Sequence, residues 1–261
     1  MADDLPAAIL DQAKLAHSSW QPILKQGLQR VHEEDPAYLP ALAKDDYLPT
    51  RGRLFAAFQQ PLDAVKYVLV GEGPYPREES ATGVCFMDGA VRELWSEKGL
   101  SKPVNRATSL RNFMKMLLVA EKTLEVGNTS GDALADVAKL ARAEKSVYIQ
   151  TLPELQEKLT HAGFLLLNAS LVYRAHVAPA KDARAWQPFL EHVLVALDEH
   201  ASDMKRLPPT LVLWGKIAEL VGSIPTNAHF PKAMSEHPYN ISFIASPTMQ
   251  ALFAPMHLLR R

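Results

Sequence analysis

Three short apolar runs organise the chain: VKYVLV (Val65 to Val70), FLLLNAS (Phe164 to Ser170) and TLVLWG (Thr210 to Gly215). Runs of this length without polar alternation read as strands covered on both faces, which belong in a parallel sheet. A shorter strand is expected near Ala233 to Glu236. Between the runs the period lengthens to that of helices. SLRNFMKMLLVAEKTL places Leu110, Phe113, Met114, Leu117 and Leu118 on one stripe, LPELQEKLTHAG closes on Gly163 where a helix-ending glycine belongs, and WQPFLEHVLVALDEHA forms a third helix. The pattern predicts an α/β fold with a central, mostly parallel four-stranded sheet, preceded by a helical segment over about residues 1–60. GNTSGDALAD, Gly127 to Asp136, reads as a flexible surface loop or an insertion. No internal repeat or low-complexity segment interrupts the chain.

Composition narrows the class of protein. With 261 residues, 48% of them apolar, the chain is long enough to bury a core as one domain over 1–261. The single cysteine, Cys85, has no internal disulfide partner and reads as a small buried hydrophobe. The N-terminus MADDLPAAILDQAKLAH has acids and a proline where a signal peptide is basic, and no apolar run reaches the length of a membrane span, so a cytoplasmic location away from membranes is expected. A formal net charge of −1 provides no global basic field, so any contact with DNA must come from local groups. No cluster has zinc-ligand spacing, and one cysteine excludes a four-cysteine iron–sulfur site, so neither a metal nor another cofactor is expected.

In a parallel α/β sheet, ligands bind beyond the carboxyl ends of the strands. Three loops in those positions carry unusual chemistry: GEGPYP after Val70, the segment from Asn168 in LLLNASLVYRAH, and SEHPYNIS from Ser235 to Ser242. Together they resemble the uracil-DNA glycosylase superfamily, most closely its first family, whose corresponding motifs read GQDPYH, LLLN with RAH, and HPSPLS. ATGVCF is similar to that family's AHGLCF, TSLRNF to its proline-serine loop and following helix, and LVLWGKIAE to its LLWGSxAQ segment. Order and spacing agree over roughly Trp20 to Leu259. The resemblance implies a three-layer α/β/α sandwich and a DNA-repair enzyme of base excision, a monomer that flips uracil out of DNA and hydrolyses its N-glycosidic bond.

The chemistry of that reaction assigns roles to particular residues. An amide offers both an acceptor and a donor, so Asn168 can read the ring N–H and O4 of uracil together, whereas the amino group of cytosine would face the amide's own donor. By resemblance, Phe86 stacks on the flipped ring, and Tyr75 occupies the space a thymine methyl would need. Gly71 and Gly73 shape the base-binding loop, and His237 donates to O2, where charge collects as the bond breaks. Ser109, Gly215, Lys216, Pro238 and Ser242 are the expected DNA contacts, with Ile241 at the position of the family's wedge. Simpler readings stay open beside these: Asn168 as a strand-end amide that merely bonds loop backbone, Phe86 and Trp214 as core, the latter preferably so, Tyr75 as loop packing, His237 as a satisfied loop histidine, and Arg174 with His176 as braces.

The departures matter as much as the matches. The family's water-positioning aspartate is replaced by Gly73 and its phosphate-contacting histidine by Pro76. Glu72 stands where the family has glutamine, and the resulting GEGP resembles the GEAPG or GEGPG loop of the iron–sulfur-bearing fourth family. Glu72 is therefore the candidate base, with Asp88 and Glu79 next, or the enzyme is slow and leans on electrostatic stabilisation; Gly73 is a candidate for a backbone conformation open only to glycine. Tyr239 and Asn240 replace serine and proline in the last loop. Two other functions follow from these changes: a glycosylase for another modified base, or an inactive homologue that binds DNA or a partner. A proteinaceous inhibitor that reads the wedge loop is a further possible partner.

Overall fold

The structure, a computed structural model, describes residues 5–261. Residues 1–4, which begin both the acidic N-terminal stretch and the expected helical segment, lie outside the described residues. The N-terminal part folds into α1 (Ala7–Ala13), α2 (Gln21–Glu34) and α3 (Tyr38–Leu42), and then enters β1 (Tyr67–Gly71). A two-stranded pair follows, β2 (Trp95–Ser96) with β3 (Gly99–Leu100), and then four helices, α4 (Lys102–Arg106), α5 (Thr108–Ala120), α6 (Gly131–Ala143) and α7 (Leu152–His161). β4 (Phe164–Asn168), α8 (Pro179–Asp203), β5 (Thr210–Trp214), α9 (Ile217–Gly222), β6 (Lys232–Ser235) and α10 (Pro247–Phe253) complete the chain.

The strands form one four-stranded sheet in the order β4, β1, β5, β6. β1 and β4 run parallel, with Tyr67 opposite Phe164 and Gly71 opposite Asn168. Bonds from Leu211 N–H to the Pro231 carbonyl and from Gly215 N–H to the Ser235 carbonyl advance together along β5 and β6, so that pair is parallel too. Val68 to Val70, all five residues of β4 and Leu211 to Trp214 are buried, which is why these stretches carry no alternation. The edge strand β6 buries only Ala233. The chain winds outward from β1 to β4 and then returns past β1 to β5. The order reverses at β1, and the loop that leaves its carboxyl end therefore lies where such sheets place ligands.

The residues gather into two compact units: the first runs to Asp88 and includes Gly163–Val212 and Glu219–Lys232, and the second comprises Gly89–Ala162, Leu213–Ala218 and Ala233–Arg261. In the first unit α2 packs on α8. Gly27 permits the approach, since a Cβ there would sit 2.7 Å from the Phe189 ring. Trp20, Phe55, Phe58 and Phe189 form an aromatic cluster with centroids 5.0 to 6.3 Å apart. In the second unit Trp214 is core, as expected: its ring meets Phe243 edge-on at 5.4 Å, and its Nε1–H points at Met249 Sδ. Cys85, in the first unit, is buried, and burial pushes its thiol up to about 12.

The helix ends follow local chemistry. At α7 Thr151 accepts from the Glu154 N–H while the Glu154 carboxylate accepts from the Thr151 N–H, a reciprocal cap worth about 1 kcal/mol. Gly163 follows that helix with φ +98, the left-handed turn its position predicted. One expectation is corrected. The stretch 127–136 is not a loop throughout, because α6 begins at Gly131 and buries Leu134, Val137, Ala138 and Ala141 at helical spacing. Most of that apolar stripe lies beyond Asp136, so a window ending there shows mainly glycine and small polar residues. α8 likewise starts seven residues before Trp186. Among the described residues no helix is long and apolar enough to cross a membrane.

Candidate active site

The loop after β1 is tied to the loop after β4. Ala169 N–H donates to the Gly71 carbonyl at 2.8 Å and Ser170 N–H to the Glu72 carbonyl at 3.0 Å, so the two strand ends continue to pair beyond the sheet. These bonds hold the start of the turn, while Glu72 and Gly73 stay exposed. Glu72 is exposed, and among the described residues its carboxylate meets no cation or donor. Asn168, at the end of β4, is only 5% exposed, yet its side-chain amide makes no hydrogen bond within the described residues. An interior amide with both functions open is rare in a folded protein, because burial without a partner costs about 1–3 kcal/mol. Gly71 lies between this amide and Cys85: a Cβ there would be 2.5 Å from Cys85 Sγ and 3.2 Å from Asn168 Oδ1.

Gly73 does not need glycine's conformational freedom. Its φ lies outside the left-handed region, and a Cβ would meet Ser170 at 3.6 Å, an ordinary contact. The alternative that only glycine fits at this position is therefore set aside, and an aspartate there is sterically acceptable. Tyr75 is half-buried; burial, then the nearby Cys85 and Asp88, raise its hydroxyl pKa and keep it neutral. Arg77 anchors the far side of the turn, donating to Ser80 Oγ at 3.1 Å and lying 3.7 Å from Asp88 and 3.8 Å from Glu79. The two reserve candidates for the base are thus both in ion pairs, which distinguishes them from Glu72.

Phe86 sits at φ +67, a conformation bulky residues seldom adopt, and its side chain is half-buried rather than core. The segment before it explains how that is enforced. Thr82 Oγ1 donates to the Met87 carbonyl at 2.9 Å and accepts from Val84 N–H, and Cys85 N–H bonds the Leu166 carbonyl of β4. Gly83 has φ +81, and a Cβ there would strike the Arg53 carbonyl at 2.1 Å, so the turn admits no side chain.

In the second unit, His237 is exposed, and its Nδ1 accepts from the Tyr239 N–H at 3.1 Å. An accepting Nδ1 leaves the proton of the neutral ring on Nε2, which makes Nε2 a donor. Gly215 lies against it, with a Cβ position 3.0 Å from His237 Cβ. Pro238 is buried, whereas Ile241 is 77% exposed and Lys216 is exposed. Ser242 donates its hydroxyl to Glu236. Ser109 lies partly exposed in the first turn of α5. A residue that sequence reading passed over holds this loop: Asn112, 2% exposed, donates to the Pro238 carbonyl at 2.8 Å, with Tyr239 and Asn240 carbonyls at 3.4 and 3.5 Å. A polar residue inside the apolar run of α5 was the available signal.

Arg174 and His176 are braces. The Arg174 guanidinium binds both Asp182 oxygens and Asp45, Tyr38 donates to Asp182 at 2.7 Å, and His176 Nε2 lies 3.1 Å from Asp45. Among the described residues no three His, Cys, Asp or Glu side chains form a metal-binding group.

A buried amide at a strand end, a half-buried phenylalanine and an exposed carboxylate thus lie on the loops that leave β1 and β4 and on the segment bonded to β4. Comparison with known proteins gives the family. A crystal structure of the UNG of Nitratifractor salsuginis is 38% identical and superposes with a TM-score of 0.85 over 97% of this chain and 96% of that one. The uracil-DNA glycosylase of Streptococcus mutans is 27% identical, covering 87% of this chain and 86% of its own. The mimivirus UNG solved in complex with UGI, 16% identical with a TM-score of 0.52, covers 89% of this chain and 73% of its own and shares the fold. No family model matches the sequence. The chain belongs to the uracil-DNA glycosylase family.

Proposed function

We propose that the protein excises uracil from DNA by hydrolysing the N-glycosidic bond of a flipped nucleotide, with Asn168 reading the base, Glu72 positioning water and His237 stabilising the leaving uracil. The observation that carries this reading is the buried, unpaired amide of Asn168 in a chain of this family. Its carbonyl accepts the uracil ring N–H and its NH2 donates to O4; a cytosine would set donor against donor. Phe86 stacks on the ring, and Tyr75 fills the space beside C5.

As the bond from the sugar C1′ to the base N1 lengthens, its electron pair moves onto the base and collects at O2. His237 Nε2–H is the donor for that oxygen, an interaction that strengthens as charge develops and is typically worth about 3–4 kcal/mol. Glu72 takes the proton from a water whose oxygen bonds to C1′, and the uracil anion is neutralised on release. The reaction consumes only water. Ser109, Gly215, Lys216, Pro238 and Ser242 hold the backbone of the DNA, and Ile241 fills the gap left by the extruded nucleotide.

This reading places the chain nearest the first family in its base pocket and nearest the fourth in its GEGP loop. It acts as a monomer. A protein inhibitor such as the UGI bound by the mimivirus enzyme would meet Tyr239 and Asn240 where the family has serine and proline. The test is a gel assay with uracil-containing oligonucleotides, single-stranded or paired with G or A. Release of uracil, leaving an alkali-sensitive abasic site, is expected; release of a different modified base alone, or of none, would overturn the proposal.

A further inference from the structure

We infer that the ring of Tyr239 is a stacking surface for a DNA base beside the extruded nucleotide, an inference that rests on the uracil-excision reading and adds a base contact outside the pocket. Among the described residues Tyr239 is the only aromatic residue with an exposed side chain, at 69%. Tryptophan, phenylalanine and tyrosine elsewhere in the molecule are buried or half-buried, as the area they carry would lead one to expect.

The loop that bears the ring is not loose. The Tyr239 N–H donates to His237 Nδ1 at 3.1 Å, and its carbonyl lies 3.4 Å from Asn112 Nδ2, which also holds the Pro238 and Asn240 carbonyls. With its backbone held at both ends, a tyrosine has only two side-chain torsions left to fix, so ordering it against a ligand costs little. Ile241, two residues on, is 77% exposed, so neither apolar side chain covers the other. The loop therefore offers one aliphatic and one aromatic surface, both pre-positioned.

A base is the partner whose chemistry fits. Each nucleobase has a π-face, stacking on an aromatic side chain is tolerant of sequence, and it needs no cationic field, which a chain of net charge −1 does not possess. The serine of the family's loop pattern can offer only a hydroxyl at this position. Tyr239 thus supplies affinity for unstacked bases through its ring, with its hydroxyl dispensable.

The test uses the full chain and a single-stranded oligonucleotide carrying a 2′-fluorinated, uncleavable deoxyuridine with 2-aminopurine on one side or the other. Tyr239→Ala is expected to raise Kd by about 5- to 150-fold, the range of one base–aromatic stack, and to abolish the quenching of 2-aminopurine on binding. Tyr239→Phe is expected to keep both properties, and Tyr239→Leu to behave like the alanine variant. Parent-like binding and quenching by Tyr239→Ala, or full retention by Tyr239→Leu, would overturn the inference while uracil release by the parent protein left the excision reading standing. Absence of uracil release by the parent protein would overturn both.

Discussion

Asn168 ends β4 and Arg174 lies six residues further on, in the loop that leaves the strand; both are buried, and they are treated in opposite ways. Every arm of the Arg174 guanidinium is engaged: Asp182 takes two of its nitrogens, Asp45 a third, and Tyr38 lies under its plane with the guanidinium carbon 5.5 Å from the ring centre. The Asn168 amide has no partner among the described residues. The same contrast separates the carboxylates: Asp182 accepts from arginine and tyrosine, whereas Glu72 is unpaired. Buried polar groups that hold a fold are saturated, because a half-paired ion in the interior is costly. Groups that meet a substrate must be left open and held by their backbone. The pattern of satisfied and unsatisfied groups therefore separates a brace at Arg174 from an open amide at Asn168, the group proposed to read the base.

The two ends therefore respond to substitution in different observables. The largest effect is expected from Arg174→Met, which strands Asp182 in the interior and should lower folding stability by about 3–5 kcal/mol, visible as a fall in melting temperature, while folded molecules release uracil at nearly the parent rate. The acid limb of stability sharpens this point. The Arg174 guanidinium holds the Asp45 carboxyl below the usual carboxylate range. A depressed folded pKa contributes stability above about pH 4, the unfolded value, and loses it as pH falls through the folded value. Melting of the parent should therefore fall more steeply below about pH 4 than melting of Asp45→Asn.

At the other end, Asn168→Asp should reduce single-turnover uracil release by folded molecules by about 10²–10³-fold, since the carboxylate offers O4 no donor and faces it with charge. Undiminished release would mean that Asn168 does not read the base. Tyr75→Ala is expected to be milder. Opening the space beside C5 should weaken discrimination against thymine by about 10- to 200-fold, measured as slow thymine release, and a variant that still rejects thymine fully would place the methyl gate elsewhere. The smallest change should follow Ile241→Gly, on the order of tenfold or less, confined to paired substrates because a wedge acts only where a base is drawn from a stack. Equal losses on single strands would remove the wedge assignment.

Much of this architecture is legible in the sequence because it depends on local apolar patterning. The four strands appear within a residue or two of their expected positions, and Gly163 ends its helix as glycine should. What the sequence conceals depends on contacts distant along the chain or on backbone geometry. Asn112 looks like an ordinary helical residue until its partners, 126 to 128 positions away, are brought to it. The positive φ of Phe86 follows a turn held by Thr82 and closed around Gly83, neither of which signals it by its identity alone. Nor could Gly73 be classified from its one-letter code, since room for a side chain and a need for positive φ read the same until the Cβ position is built.

That room makes possible the most direct measurement of the claim that Glu72 has taken over from the family's aspartate. Single-turnover uracil release and DNA affinity would be compared for the parent, Glu72→Gln, Gly73→Asp and the double variant, which rewrites the turn as GQDPYP. Glu72→Gln is expected to slow cleavage by about 10²-fold or more with affinity nearly unchanged, and the double variant to recover much of the loss by moving the carboxylate one residue along a turn that accommodates it. Cleavage by Glu72→Gln at the parent rate would contradict the account.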